Sequence, residues 1–239
     1  MSLDSKSDKE LLGMNSNIQF IVKMALLMFH SHCDSLLTQK ASNSAFQLYT
    51  TCREILVSVV PDSLPLENAA VLPLSVSTAA SGLYCQLKLP LPSLAPKATG
   101  QSILIWGGSS SCGSSTIQLA VASGLKVVTT AGKANHDYVR SLGASEVFDH
   151  ADADVIEKIS KVLKAGDVAI ACIAGLEAQK ACSEIIERIG GGKITMLLPP
   201  QMEFPDSVQG TWGTSFYTID ILLFTNIDIY SKCSGARHD

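Results

Sequence analysis

The feature that most constrains this chain is a regular alternation of short apolar runs and amphipathic stretches over residues 100–210. The apolar runs predict five strands, at Ile103–Trp106, Lys126–Ala131, Glu146–Phe148, Val168–Ile173 and Lys193–Leu198. Stretches with helical spacing of apolar residues separate them, and short connections marked by glycine join the two kinds of element. Such an alternation is typical of an α/β fold with a doubly wound parallel sheet.

The rest of the chain is less regular and divides into four further segments. They are an unassigned and partly disordered N-terminus (1–43), a pair of strands or a single strand (44–60), a helical connector (61–99), and an edge strand with a C-terminal tail (211–239). Within the connector, Asn68–Leu87 is predicted to be helical with a kink near Pro73, and Leu89–Gly100 to be a rigid junction. The edge strand is expected over Asp220–Tyr230.

Composition excludes several classes of protein. With 46% apolar and 17% charged residues the chain is globular. Its net charge of −4 and the lack of basic clusters argue against nucleic acid as a partner. No run is long and apolar enough to predict a membrane span. The seven scattered cysteines favour reduced thiols and a cytoplasmic protein.

A metal site is not predicted. His30, His32 and Cys33 stand close together in the sequence, but no fourth ligand follows at a suitable spacing.

The first strand–helix turn, from Gly107 to Gly113, is the first candidate site. In a doubly wound fold, ligands bind outside the carboxyl ends of the strands, next to this turn. Gly108 permits a tight turn, Gly113 permits close packing of the helix, and the small serines between them let a pyrophosphate approach the helix N-terminus. The spacing departs from G-x-G-x-x-G, so a turn without a ligand is the alternative interpretation.

The end of the second strand indicates which nucleotide would bind. A carboxylate at this position holds the ribose of NAD, but here none follows the strand until Asp137. Lys133 would attract a 2′-phosphate, and Thr130 and Asn135 could donate hydrogen bonds to it. The pattern favours NADP(H), with a solvated surface lysine as the alternative for Lys133.

A series of motifs in order also resembles a known family. They are Pro61–Leu64, Glu67–Leu74, Ser77–Leu83, Trp106–Ser111, Ser141–Ala144, Val147–Asp149, Gly190–Lys193 and Leu197–Pro200. Together they resemble the medium-chain dehydrogenase/reductase superfamily, and within it the zinc-independent fungal enoyl-reductase-like branch, which includes trans-enoyl reductases that serve polyketide synthases. The resemblance implies a Rossmann-type NADP-binding domain over residues 100–210.

The resemblance also implies roles for particular residues. Those expected to bind NADP(H) are Ser110, Ser111, Cys112 and Gly113 at the pyrophosphate, Gly132, Lys133, Ala134 and Asn135 at the 2′-phosphate, and Leu198 beside the nicotinamide, while His150 could stack on the cofactor or form a hydrogen bond with it. The family often has Ser-Pro-Lys-Asn at residues 132–135 and tyrosine at position 150, and both departures predict weakened binding. No catalytic residue is assigned; for Tyr84 and His150, the nearest candidates, a packing or cofactor role is favoured.

The same family has a GroES-like β domain that forms the second wall of the substrate cleft. Only Ala45–Tyr49 resembles one of its strands, so the chain is expected to carry remnants of that domain and to be truncated. Two functions follow. One is an NADP(H)-dependent oxidoreductase that reduces an activated C=C bond of an enoyl or enone substrate. The other is a truncated NADP-binding protein with weak or no catalysis. The family further implies a homodimer formed through sheet edges.

Overall fold

In a computed structural model, residue 60 and residues 63–213 are described. The chain divides into two compact units, 1–74 and 75–239. The predictions for residues 1–43, for the GroES-like segment 44–59 and for the strand at 220–230 lie outside the described residues.

Six parallel strands form one sheet in the order β3-β2-β1-β4-β5-β6. Their bounds are β1 Ser102–Trp106, β2 Lys126–Thr130, β3 Glu146–Phe148, β4 Val168–Ala171, β5 Gly192–Met196 and β6 Val208–Trp212. The first strand of the sheet along the chain therefore lies at its centre, between β2 and β4. This order confirms the predicted α/β class with a doubly wound parallel sheet.

Helices precede and connect these strands. Their bounds are α1 Leu66–Ala70, α2 Leu72–Ala80, α3 Ser111–Ala122, α4 His136–Ser141, α5 Val155–Val162 and α6 Leu176–Arg188. A π-helical segment, Ser81–Gln86, follows α2, and a 3₁₀ turn, Lys133–Asn135, precedes α4. None of the helices in the described part of the chain is long and apolar enough to cross a membrane.

The central strands are apolar on both faces because helices cover both sides of the sheet. In β1, Leu104 and Trp106 belong to one buried cluster with α5 and α6, whereas Ile103 and Ile105 belong to a second cluster with α3 and the π-helical segment. This alternation explains why the strands appear in the sequence as continuous apolar runs.

The amino ends of β1 and β4 are fastened by one buried carboxylate. Asp167 accepts hydrogen bonds from the backbone N–H of Ser102 (2.7 Å) and from that of Lys164 (3.0 Å). The carboxyl ends of the two strands, by contrast, lead into the turns described below.

The structure adds one strand that the sequence did not predict. Strand β6 follows Pro200, where we expected regular structure to end, and pairs with β5 from Gly192–Val208 to Met196–Trp212. The predicted helix over Asn68–Leu87 is present as α1, α2 and the π-helical segment.

Candidate functional site

The candidate site lies at the carboxyl ends of β1 and β4. The chain leaves these neighbouring strands toward opposite halves of the sheet, β1 leading to β2 and β4 leading to β5. In open parallel sheets a crevice forms at this switch point, and it is the usual ligand site.

The turn after β1 is held against β2 by its backbone. Gly107 adopts a φ of 89°, and its N–H donates to Thr130 Oγ1 (3.0 Å). The N–H of Gly108 donates to the carbonyl oxygen of Thr130 (2.9 Å). Thr130 is fully buried, so its hydroxyl serves this turn. The hypothesis that Thr130 donates to a 2′-phosphate was therefore wrong.

Ser110 is the N-cap of α3. Its hydroxyl accepts from the N–H of Gly113 (3.0 Å) and donates to the carbonyl oxygen of Gly107 (2.8 Å), with the carbonyl oxygen of Cys172 at 3.4 Å beyond the end of β4. The N–H groups of Ser111 and Cys112, in the first turn, have no acceptor within an α-helix. They remain available to an anion at the positive end of α3.

Gly113 is a position in this turn where backbone atoms leave no room for a side chain. A Cβ atom there would collide with the carbonyl oxygen of Gly107 and would lie 2.8 Å from the Cα of Gly108. The helix therefore begins directly against the turn, which brings its first N–H groups close to the crevice. This cradle fits the pyrophosphate of a dinucleotide.

The thiols near the turn are poor nucleophiles. Burial raises the pKa of Cys112, although a hydrogen bond with the Thr78 side chain opposes this shift. Burial raises the pKa of Cys172 to about 12. Both thiols are thus protonated at neutral pH, and covalent catalysis by either is disfavoured.

Tyr84 lies away from the first turn of α3. Its hydroxyl donates to the carbonyl oxygen of Leu119 (3.4 Å) and lies 3.1 Å from Ser123 Oγ, at the opposite end of the helix. Burial raises its pKa. This position supports a packing role for Tyr84.

The turn after β2 carries the residues predicted to bind a 2′-phosphate. Gly132 caps the 3₁₀ turn Lys133–Asn135, and residues 133–135 are all exposed. The Lys133 side chain is 79% exposed, and its Nζ lies 3.7 Å from Asp149 Oδ2. An exposed cation therefore projects from this turn and has a carboxylate beside it.

Asp149 is a site residue that we did not assign from the sequence. It follows β3 directly, and Oδ1 accepts from the N–H of Ala151 (3.0 Å). This hydrogen bond is the main cause that lowers the pKa of Asp149, and the charges of Lys133, His150 and His136 lower it further. The motif Val147–Asp149 contains this residue, but its proximity to Lys133 depends on the pairing of β2 with β3, which local sequence does not reveal.

His150 is exposed and belongs to the same cluster. Its Nδ1 lies 3.8 Å from Asp149 Oδ1, and its Cε1 would lie 3.8 Å from a Cβ atom at Gly132. The structure thus brings Gly132, Lys133 and His150 together around Asp149.

Leu198 lies on the other side of the crevice, after β5, and is 44% exposed. Ile173, after β4, is similarly exposed, and its side chain packs where a Cβ atom at Gly107 would stand. Ile173 and Leu198 therefore offer apolar surface at the ends of adjacent strands.

Metal-ligating side chains do not gather in the described residues. Between residues 63 and 213, no three His, Cys, Asp or Glu side chains are close enough together to hold a metal ion. We therefore assign no step to a metal.

Comparison with known families defines the class of protein. Residues 112–234 match the zinc-binding dehydrogenase family, over just more than half of the chain. The chain belongs to this family and thus to the medium-chain dehydrogenase/reductase superfamily, and the predicted family resemblance is confirmed.

Particular relatives point to the enoyl-reductase-like branch. Over 181 residues, 76% of this chain, the protein is 62% identical to the trans-enoyl reductase himH of Aspergillus japonicus, of which it covers 53%. Over 160 residues, 66% of the chain, it is 44% identical to the dehydrogenase pigH of Monascus ruber, of which it covers 43%. The chain spans about half the length of these curated relatives.

Solved structures share the fold. The CurK enoyl reductase aligns with a TM-score of 0.56 at 18% identity, covering 68% of this chain and 48% of that one. The CurF ER cyclopropanase from the curacin A pathway aligns with a TM-score of 0.60 at 17% identity, covering 80% and 59%. At these identities the likeness concerns the fold.

Proposed function

We propose that this protein is an NADP(H)-dependent oxidoreductase of the enoyl-reductase type, which reduces the C=C bond of an enoyl or enone substrate. The observation that carries the proposal is the capped N-terminus of α3 at the switch point between β1 and β4, with Lys133 at the end of β2. The 62% identity to a trans-enoyl reductase supports the type of reaction.

The chain's own residues would bind the dinucleotide in three places. The first N–H groups of α3, from Ser111 and Cys112, receive the pyrophosphate, while Ser110 and Gly113 shape the turn. Residues 132–135 and His150 surround the 2′-phosphate and adenosine. Leu198 borders the nicotinamide. NADPH, when bound, supplies a hydride for the electron-poor carbon of the C=C bond, and a proton completes the reduction.

The apolar surface of Ile173 and Leu198 would exclude water from one side of the reacting atoms. Water exclusion strengthens the polar interactions that orient a substrate. The same two side chains are half exposed among the described residues, which favours a second candidate function. In that candidate the protein binds NADP(H) with weak or no turnover.

The family resemblance supports proposals for the substrate, the partner and the oligomeric state. We propose a small enoyl or enone substrate, delivered by a polyketide synthase, and a homodimer that joins sheet edges. The four cysteines of the described residues are free thiols, which supports action in the cytoplasm.

A single set of measurements separates the candidates. The full chain is mixed with NADPH and a panel of enones and enoyl thioesters, and NADPH absorbance is followed over time. Thermal unfolding is measured in parallel with NADPH, with NADH and without nucleotide. Turnover with a saturable substrate dependence supports the oxidoreductase.

Two other outcomes would contradict the oxidoreductase proposal. Saturable NADPH binding without turnover across the panel supports the second candidate. If neither nucleotide binds or raises the unfolding temperature, both candidates are wrong.

A further inference from the structure

Gln179 of α6 holds the loop that follows β5 at two points. It is 2% exposed, and its Nε2 donates to the carbonyl oxygen of Pro199 (3.3 Å). Its Oε1 accepts from the N–H of Gln201 (2.8 Å). The two bonds therefore fix the backbone on both sides of Pro200.

Only an amide of this length can make both bonds. A glutamine side chain carries a donor and an acceptor at one end, whereas a carboxylate would carry acceptors alone. Glutamate at this position would face the Pro199 carbonyl with like partial charge and would bury a negative charge. A buried polar side chain is retained at little cost when its donor and acceptor are both satisfied.

The loop held by Gln179 contains Leu198, the residue assigned to the nicotinamide. Leu198 directly precedes Pro199, whose carbonyl group Gln179 binds. Pro199 and Gln201 are themselves exposed, and their backbone groups form no other hydrogen bond among the described residues. The position of Leu198 after β5 thus depends on a side chain from another element.

We propose that Gln179 is a positioning residue that holds the Leu198 loop against the nicotinamide half of the bound dinucleotide. The inference rests on the proposed function. Because the adenosine half is held by residues 132–135 and His150, at the ends of β2 and β3, Gln179 affects one half of the ligand and leaves the other unchanged. Fixing a loop in its bound conformation strengthens binding because less conformational freedom is lost.

The test compares Gln179→Met with Gln118→Met in the full chain. Methionine has nearly the length of glutamine but makes neither bond. The freed backbone groups of the exposed Pro199 and Gln201 can turn to water, so the fold is expected to persist. Gln118 is an exposed residue of α3 whose amide donates to Ser114 within its own helix, so it is a matched control.

Calorimetry measures binding of NADPH and of 2′,5′-ADP, which represents the adenosine half alone. For Gln179→Met we expect NADPH to bind about tenfold more weakly, the size of one lost hydrogen bond, with 2′,5′-ADP unchanged. Gln118→Met should change neither affinity. Hydrogen exchange on the unaltered chain should show the Gln201 amide to be protected although the residue is exposed.

Three results would overturn the inference. One is unchanged NADPH binding by Gln179→Met, and another is equal weakening of both ligands, which indicates a general loss of structure. The third is rapid exchange of the Gln201 amide in the unaltered chain. This result would show that Gln179 does not hold the loop, even if Gln179→Met does not fold. If the unaltered chain binds neither ligand, the proposed function is wrong. If it binds both ligands and one of the three results is obtained, only the inference about Gln179 is wrong.

Discussion

The ammonium group of Lys133 lies 3.7 Å from the carboxylate of Asp149, across the paired ends of β2 and β3. The Asp149 side chain is nearly buried, whereas the Lys133 side chain is largely exposed. The anion is thus fixed by the fold, and the cation can leave it for a better partner. A 2′-phosphate carries more negative charge than a carboxylate and would compete for the same lysine.

Lys133→Glu should therefore weaken NADPH binding much more than NADH binding. The variant removes the cation and places a second carboxylate beside Asp149, so we expect a loss of roughly 10- to 100-fold for NADPH, as for a charge-assisted hydrogen bond. Fluorescence titration with each nucleotide measures the two affinities. Lys97→Glu makes the same change of charge in the exposed segment before the amino end of β1 and should leave both unchanged. Equal losses of NADPH and NADH would disprove the 2′-phosphate assignment.

Gly113→Ala should distort the turn after β1. Its Cβ atom would collide with the backbone of Gly107, so we expect the free energy of unfolding to fall by about 1–3 kcal/mol. Gly132→Ala is the matched control, because its φ of −65° suits alanine and the nearest atom to its Cβ is 3.8 Å away. Its free energy of unfolding should change by less than about 1 kcal/mol. Urea denaturation compares the two, and a fully stable Gly113→Ala protein would contradict the described turn.

Thr195→Val should stabilise the protein. Thr195 is fully buried in β5, and its hydroxyl has no hydrogen-bond partner among the described residues. Removal of an unpaired buried hydroxyl without a change of shape should raise the free energy of unfolding by about 1 kcal/mol.

Thr129→Val is the control for Thr195→Val. The Thr129 hydroxyl is equally buried but donates to the carbonyl oxygen of Ile105 (2.7 Å), so this variant should lose about 1 kcal/mol. Opposite signs for the two variants in thermal or urea denaturation are the expected result. A loss of stability in both would mean that the Thr195 hydroxyl has a partner.

Cys112 should react slowly with iodoacetamide, and NADPH should slow it further. Its pKa is raised by burial, so the thiolate fraction is small at neutral pH and the rate should rise as the pH increases. A dinucleotide at the first turn of α3 would cover the thiol.

Peptide mapping by mass spectrometry gives the rate at each cysteine. Cys172, with a pKa raised to about 12, should remain unmodified throughout and serves as the internal reference. Labelling of Cys112 that NADPH does not affect would argue against binding at this turn.

The central strands could be predicted because burial on both faces produces continuous apolar runs in the sequence. Strand β6 could not, since only Val208 of its five residues is buried and Gly210 weakens the strand pattern. The structure explains this glycine, because the ring of Phe204 occupies the space that a Cβ atom would need. Local sequence did not reveal that contact.

The candidate site likewise contains features that local sequence predicts and features that depend on contacts between distant residues. Ser110 and Gly113 could be recognised because turn and cap act within a few residues of each other. The partners of Lys133 and Thr130 could not, because strand pairing brings them from distant parts of the chain. The buried role of Gln179 likewise depends on how α6 packs beside the loop after β5.

The fastening of β1 to β4 at one end has a consequence for how the sheet comes apart. Asp167 ties the amino ends of the two strands across 65 residues of chain, and backbone pairing continues from there to Trp106 and Ala171 at their carboxyl ends. A dinucleotide that spans the crevice would contact the turns of both halves of the sheet at the end opposite to Asp167. Occupancy should then make the halves unfold as one cooperative unit, so that a ligand would alter the sharpness of the transition as well as its midpoint.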